Sequence, residues 1–304
     1  MREIFRNLLL IALTCTATSA LARIPFDTDF IGKTVVFLYA VGPDGTADIK
    51  APIGTGFLLR VPHLNDQDVT VLLVTARHIF DPLWAHCAVR HNPVLIFVRV
   101  NTAGAGNPEK VRYIPVSLES NGNPTWSKHH DDDVDAAVIT LPLTENDFRT
   151  LDFRALPFWR LPTDEELRAL SIGDDIVSAG VLLELKDTQK NYPVFKFGKI
   201  SNIPGEGVPT GCGGVQMRIK AWLIAANLVP GNSGSPILYY PPYGENGDIA
   251  SAGVQRIVLI GVQSSSVVPS DVAFMTPANY IFDIVHGMNI RNADLYRGKP
   301  RGPQ

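Results

Sequence analysis

Short apolar runs recur along the chain, broken by Gly, Pro, Asn and Asp, and this is the pattern of strands separated by turns. In the first half the runs predict strands at 34–41, 56–61, 69–75, 94–100, 111–116 and 135–141. In the second half they predict strands at 175–181, 194–200, 215–224, 235–240, 258–264 and 272–275. Helical patches fall between the two groups near 145–151 and 164–170, the second with Thr163 as a candidate N-cap. A last helix is predicted from Pro277 to near Gly287, with proline in its first turn. The expected fold class is all-β: two six-stranded antiparallel β-barrels with a cleft between them and a C-terminal helix.

The first residues follow a different rule. Arg2 and Arg6 flank a short charged start, residues 8–13 are apolar, and Ala20-Leu21-Ala22 offers an A-x-A cleavage site. The apolar stretch is shorter than the roughly 20 residues that span a bilayer. Cys15 lacks the small preceding residue and upstream leucine of a lipoprotein signal. The expectation is a protein secreted or released to the periplasm after cleavage near Ala22, without stable membrane insertion afterwards. The predicted organisation is a signal peptide over 1–22, an N-terminal barrel over 23–160, a C-terminal barrel with the terminal helix over 161–288, and a tail over 289–304.

Composition narrows the function classes. With 304 residues, 45% hydrophobic and 19% charged, the chain is globular and carries no low-complexity tract or internal repeat. Its net charge of −3, with basic residues dispersed, offers no nucleic-acid surface. Cys87 and Cys212 remain once the leader is gone, and in an oxidising compartment they are candidates for a disulfide. Neither has His or Cys neighbours at metal spacing. His129 and His130, followed by Asp131, Asp132 and Asp133, read as a solvated acidic loop rather than a cation site, and no metal or cofactor is implied. Nothing in the sequence signals an oligomeric state.

The candidate chemistry lies in three segments. Gly231-Asn232-Ser233-Gly234-Ser235-Pro236 places a serine between glycines. By itself such a cluster is ordinary turn material. A serine whose amide must face a developing oxyanion nevertheless needs a tight turn with little side-chain bulk, which Gly231 and Gly234 permit. The N–H groups of Gly231 and Ser233 would then be the two oxyanion donors. A serine hydroxyl needs a base and a group that orients the base. The base is supplied by the run from Val71 to His78, an apolar strand that ends on small residues and delivers His78 onto a short helical turn, just after the strand from Gly54 to Leu59. His63, His86, His91 and His286 read as ordinary satisfied polar residues. The orienting group is Asp135, which opens the apolar run 134–141 and would be costly to bury without a hydrogen-bonding partner. Asp133 is the alternative if the register differs by a turn.

The TARH, DAAVI and GNSGSP segments, in this order and about 57 and 98 residues apart, resemble the chymotrypsin-like (trypsin-like) serine proteases. The order His, Asp, Ser separates them from the α/β-hydrolases and the subtilisins. The similarity is closer to bacterial Deg-type periplasmic proteases, through Ala225-Ala226-Asn227-Leu228-Val229-Pro230-Gly231, Gly173-Asp174 and Phe274-Met275-Thr276-Pro277. It covers about residues 30–288, and the three triad segments carry its specificity. It implies a chymotrypsin-like fold with the triad across the cleft, and a serine endopeptidase that hydrolyses protein or peptide substrates through an acyl-enzyme.

Two residues depart from the wider family. Proteases activated by zymogen cleavage carry an aspartate before the nucleophile, which pairs with a new N-terminal amine. This chain has Asn232 there, so no proteolytic activation beyond loss of the leader is expected. Ser235 stands where many relatives have glycine. By the same resemblance, Asn227 lies at the base of the primary pocket, and the lack of an acid there argues against Lys or Arg specificity. Residues 261–266 should form the pocket wall and pair with substrate backbone, with Ser264, Ser265 and Ser266 as substrate-binding candidates and Ser264 also supporting Asp135. Small or medium uncharged side chains are expected before the scissile bond. The residues after the last helix are too few for a PDZ module, so PDZ-mediated allostery is not expected. The alternatives are a catalytically silent chymotrypsin-fold peptide-binding protein and an esterase with the same triad.

Overall fold

A computed structural model describes residues 27–62, 69–87, 89, 91–104, 110–183, 189–210, 217–240, 258–267, 270–288 and 290. The leader, the tail from 291 onward, His63 and Cys212 lie outside the described residues.

The first half builds one sheet. A short helix α1 (Thr28–Thr34), capped by the Asp27 carboxylate, leads into β1 (Val35–Val41). The strand thus starts one residue later than its pattern predicts, because Thr34 is still the last residue of the helix, where its hydroxyl donates to the Ile31 carbonyl. β2 (Ala47–Pro62) is much longer than expected, pairing with β1 along its first part and with β3 (Val69–Thr75) along its last. Then come the single-turn helix α2 (Arg77–Phe80), β4 (Leu95–Asn101) and β5 (Val111–Ser117). Three two-residue strands follow, β6 (Glu119–Ser120), β7 (Asn123–Pro124) and β8 (Ser127–Lys128), before β9 (Ala137–Thr140). The sheet order is β5-β4-β1-β2-β3-β9-β8. A connector carries α3 (Glu145–Thr150), β10 (Leu156–Pro157), which pairs parallel to β2, and α4 (Asp164–Arg168). α4 starts at Thr163 as predicted, through a capping box with Glu166.

The second half closes into a barrel. Its strands are β11 (Asp175–Gly180), β12 (Val194–Asn202), β15 (Trp222–Ala225), β16 (Pro236–Tyr239), β17 (Val258–Ser266) and β18 (Val272–Pro277), and a hairpin of β13 (Val208–Thr210) and β14 (Met217–Ile219) stands apart from it. The order β11-β12-β15-β18-β17-β16 is closed by the pairing of β16 with β11. Two elements therefore replace the strand predicted over 215–224, because β14 and β15 pair with different partners.

This is the chymotrypsin-like arrangement of two β units, with the C-terminal one fully closed and the N-terminal one a half-barrel sheet. Each has its own core. Val36, Leu38, Leu58, Leu73, Ile96 and Val98 fill the first; Ile176, Ile200, Ile224, Ile237, Ile260 and Met275 fill the second. Each such side chain contributes roughly 1.5–3 kcal/mol when fully buried. A final helix α5 (Ala278–Gly287) packs on β8 and β9 of the first unit and on β17 and β18 of the second. Pro277 is its N-cap, one place before the predicted first-turn position. No described helix is long and apolar enough to cross a membrane.

Candidate active site

Strand register brings His78 and Asp135 together. β3 and β9 are antiparallel neighbours with Thr75 opposite Ala137. Continuing β3 forward by three residues reaches His78, and continuing β9 backward by two reaches Asp135, at the same end of the sheet. The chain leaves β3 through extended Ala76 and turns into α2, which carries His78. His78 Nδ1 lies 2.9 Å from Asp135 Oδ2, and the His78 backbone N–H donates to Oδ1 at 3.0 Å. Asp135 lies before β9 rather than inside a strand, and its carboxylate is buried. A third donor, the Ser264 hydroxyl, also reaches Oδ2.

These contacts set the protonation states. Burial pushes the Asp135 carboxyl upward, but the facing imidazole and the donors from His78 and Ser264 outweigh it, so Asp135 titrates below an ordinary aspartate. Burial pushes His78 downward, and the Asp135 charge and hydrogen bond reverse this, leaving His78 above an ordinary histidine.

Ser233 comes from the second unit, on the turn that enters β16. Gly231 and Gly234 adopt φ of +93° and +87° there, a region in which a side chain would be strained. A Cβ on Gly234 would also collide with the Thr55 carbonyl and the Thr75 hydroxyl. The turn is fixed to β17 by Gly234 N–H to the Gln263 carbonyl at 2.8 Å and Gln263 N–H to the Ser235 carbonyl at 2.9 Å. Among the described residues neither the Gly231 nor the Ser233 N–H donates a hydrogen bond, so both remain available to an oxyanion. The Ser233 hydroxyl donates to the Ser264 backbone carbonyl at 2.8 Å and has no hydrogen bond to His78.

The structure places the other predicted residues less uniformly. Ser264 lies beside Asp135. Ser265 shares a hydroxyl contact of 3.2 Å with Thr210 at the end of β13, and Ser266 is paired with Ala273. Asn227 is exposed on the segment after β15. Asp133 does not reach His78 and is exposed; its N–H donates to Asp131. Cys87 is disulfide-bonded, while Cys212 falls outside the described residues. Among the described residues no group of three His, Cys, Asp or Glu side chains is arranged to hold a metal ion.

The acidic loop departs from its reading as simply solvated. Asp131 pairs with Lys220, and Asp132 accepts from Arg77 and Lys128. His129 is buried against Tyr280, with its Nδ1 accepting from the Asp131 N–H at 3.0 Å. Burial and the adjacent His130 hold its pKa below that of an ordinary histidine.

Three polar residues that sequence reasoning passed over support the site. Arg77 is buried, stacks on Trp84 with 4.2 Å to the ring centroid, donates to Asp81 and donates to both the carbonyl and the carboxylate of Asp132. It thereby grips the loop that carries Asp135. Lys196 on β12 donates to the Asn232 side-chain oxygen at 3.2 Å. Thr55, fully buried on β2, bonds the Ser233 turn from the other unit. Its sequence signal was Gly54-Thr55-Gly56, a polar residue between two glycines inside a strand, which marks close approach by another backbone.

No family model and no curated protein matches the chain. Solved structures with a similar fold include the protease domain of MamO from Magnetospirillum magneticum, at 14% identity over 83% of this chain and 95% of that one, with a TM-score of 0.48. Catalytically active tobacco etch virus protease, crystallised with product, aligns at 15% identity over 92% of this chain and 86% of that one, with a TM-score of 0.46. Deg5 aligns at 19% identity over 86% and 93%, with a TM-score of 0.43.

Proposed function

We propose that the protein is a serine endopeptidase in which Ser233 is the nucleophile, His78 the general base and Asp135 the group that orients His78. The observation that carries this reading is the Asp135 carboxylate, buried and holding the His78 ring at 2.9 Å and its backbone N–H at 3.0 Å. With Nδ1–H committed to Asp135, the other ring nitrogen is left as the acceptor. Ser233 Oγ attacks the peptide carbonyl as His78 takes its proton. The carbonyl oxygen becomes an oxyanion facing the Gly231 and Ser233 amides, and His78 then returns the proton to the departing amine. Water, deprotonated by His78, cleaves the acyl-enzyme and regenerates Ser233. No cofactor enters this sequence.

A protein or peptide substrate suits the open end of β17, where residues 264–266 would pair with extended backbone and Asn227 would meet the side chain before the scissile bond. A secreted or periplasmic setting agrees with the leader pattern and with the disulfide at Cys87, whose proposed partner is Cys212.

The hydroxyl of Ser233 resting on the Ser264 carbonyl also suits a silent peptide-binding protein. Turnover separates the readings. The mature protein is expected to cleave a peptide library and simple esters, and Ser233→Ala to cleave neither. Ester hydrolysis alone would favour an esterase; binding of peptides without turnover would favour the silent protein.

A further inference from the structure

We infer that Thr55, on the opposite β unit from the nucleophile, is the positioning residue that keeps the oxyanion hole open. The inference rests on the proposed hydrolase reading and adds a residue to it.

The proton count on the Thr55 hydroxyl fixes its role. The Val181 N–H lies 3.1 Å from Thr55 Oγ1 and can only donate, so Oγ1 accepts there. The hydroxyl proton is then free for one acceptor, the Gly231 carbonyl at 2.8 Å. The result is a directed relay from the Val181 amide through Thr55 to the Gly231 carbonyl. That carbonyl belongs to the peptide lying between the two oxyanion donors. Holding it toward Thr55 fixes the turn in which the Gly231 and Ser233 N–H groups stay unengaged.

The rest of Thr55 is committed to the same place. Its N–H donates to the Ser233 carbonyl at 2.8 Å, and its own carbonyl accepts the Thr75 hydroxyl at 2.7 Å. Asn232 completes the grip from the other side: its Nδ2 donates to the Val181 carbonyl at 2.6 Å, while its Oδ1 accepts from Val229 N–H at 3.0 Å and Lys196 at 3.2 Å. Val181 is therefore held through both backbone groups, by Thr55 at the N–H and by Asn232 at the C=O. Without the hydroxyl, a donor and an acceptor are stranded in a site where Thr55 has no solvent exposure. The nearer relief is rotation of the Gly231 carbonyl into the space reserved for the oxyanion.

The test compares Thr55→Val, which keeps the branched shape but loses the hydroxyl, with Thr55→Ser, which keeps the hydroxyl. Each is measured for ester kcat and KM, for the rate of Ser233 labelling by a fluorophosphonate, for the pH midpoint and for thermal unfolding. Thr55→Val is expected to lose on the order of 10–100-fold in kcat and in labelling rate, because a displaced oxyanion donor is costly. Its KM should stay within about twofold and the pH midpoint of His78 should not move, since neither substrate contacts nor the Asp135 pairing change. Thr55→Ser should recover activity to within about threefold of the parent. Labelling of Thr55→Val at the parent rate would overturn the inference, as would a Thr55→Ser variant as poor as Thr55→Val. If Thr55→Val does not fold, Thr55→Ala replaces it with the same expectation, and failure of both to fold would also overturn the inference by making the hydroxyl a prop of the fold. Absence of labelling in the parent would instead remove the hydrolase reading itself.

Discussion

Ser264 touches both ends of the proposed triad: its backbone carbonyl accepts the Ser233 hydroxyl at 2.8 Å, and its own hydroxyl donates to Asp135. One residue of β17 therefore links the nucleophile in one unit to the carboxylate in the other. Ser264→Ala removes only the hydroxyl. It is expected to lower kcat roughly tenfold with little change in KM, the size of one lost hydrogen bond to a charged group. Steady-state kinetics on an ester substrate checks this.

The pH dependence follows from His78. Its pKa is raised by Asp135, and below that pKa the imidazole already holds a proton and cannot accept one from Ser233. Activity should therefore rise with pH through a midpoint above the ~6.5 of a free histidine. Asp135→Asn removes the charge that raises His78 and leaves burial to act alone. The midpoint should then fall below that of a free histidine while kcat drops on the order of 10⁴-fold. A kcat/KM profile against pH for both proteins gives the answer.

Asn232 is not expected to tolerate exchange for aspartate. Its Nδ2 donates to the Val181 carbonyl at 2.6 Å, and a carboxylate there would set oxygen against oxygen in a buried site. Asn232→Asp should lose at least tenfold in Ser233 labelling even though Lys196 lies within reach to pair with the new charge. Labelling rates at low and high salt would reveal any compensating ion pair.

Arg77 and its partners separate a buried pair from an exposed one. The Arg77 side chain is 4% exposed and Asp81 16%, whereas Asp132 is 71% exposed. Arg77→Met removes both donors to Asp81 Oδ2, leaving Oδ1 with Asn92 and the Trp84 N–H, and should cost about 2 kcal/mol of stability. Asp132→Ala should cost no more than about 1 kcal/mol, because solvent screens that pair. Urea denaturation of the two variants measures the difference.

Most strands and the three segments of the candidate site stand out in the sequence for a local reason. Strand runs, the small residues after Thr75 and the glycines around Ser233 are patterns within a few positions. Partnerships across the chain were not visible in that way. Arg77 carried no local signal of its grip on the 129–135 loop, because Asp132 lies 55 residues away and meets it only when α2 and that loop are folded side by side; only Asp81, four residues on, was close in sequence. His129 read as solvated because its cover, Tyr280, comes from the distant helix α5. β2 exceeded its predicted length because its polar first part is held by pairing to β1 rather than by an apolar pattern of its own.

The most direct test of the account is fluorophosphonate labelling of the mature protein, with Ser233→Ala and His78→Ala alongside and mass mapping of the modified peptide. The account predicts a single adduct on Ser233 in the parent and none in either variant, since both nucleophile and base are required. A well-folded parent that takes up no label, or one labelled at another residue, would contradict it.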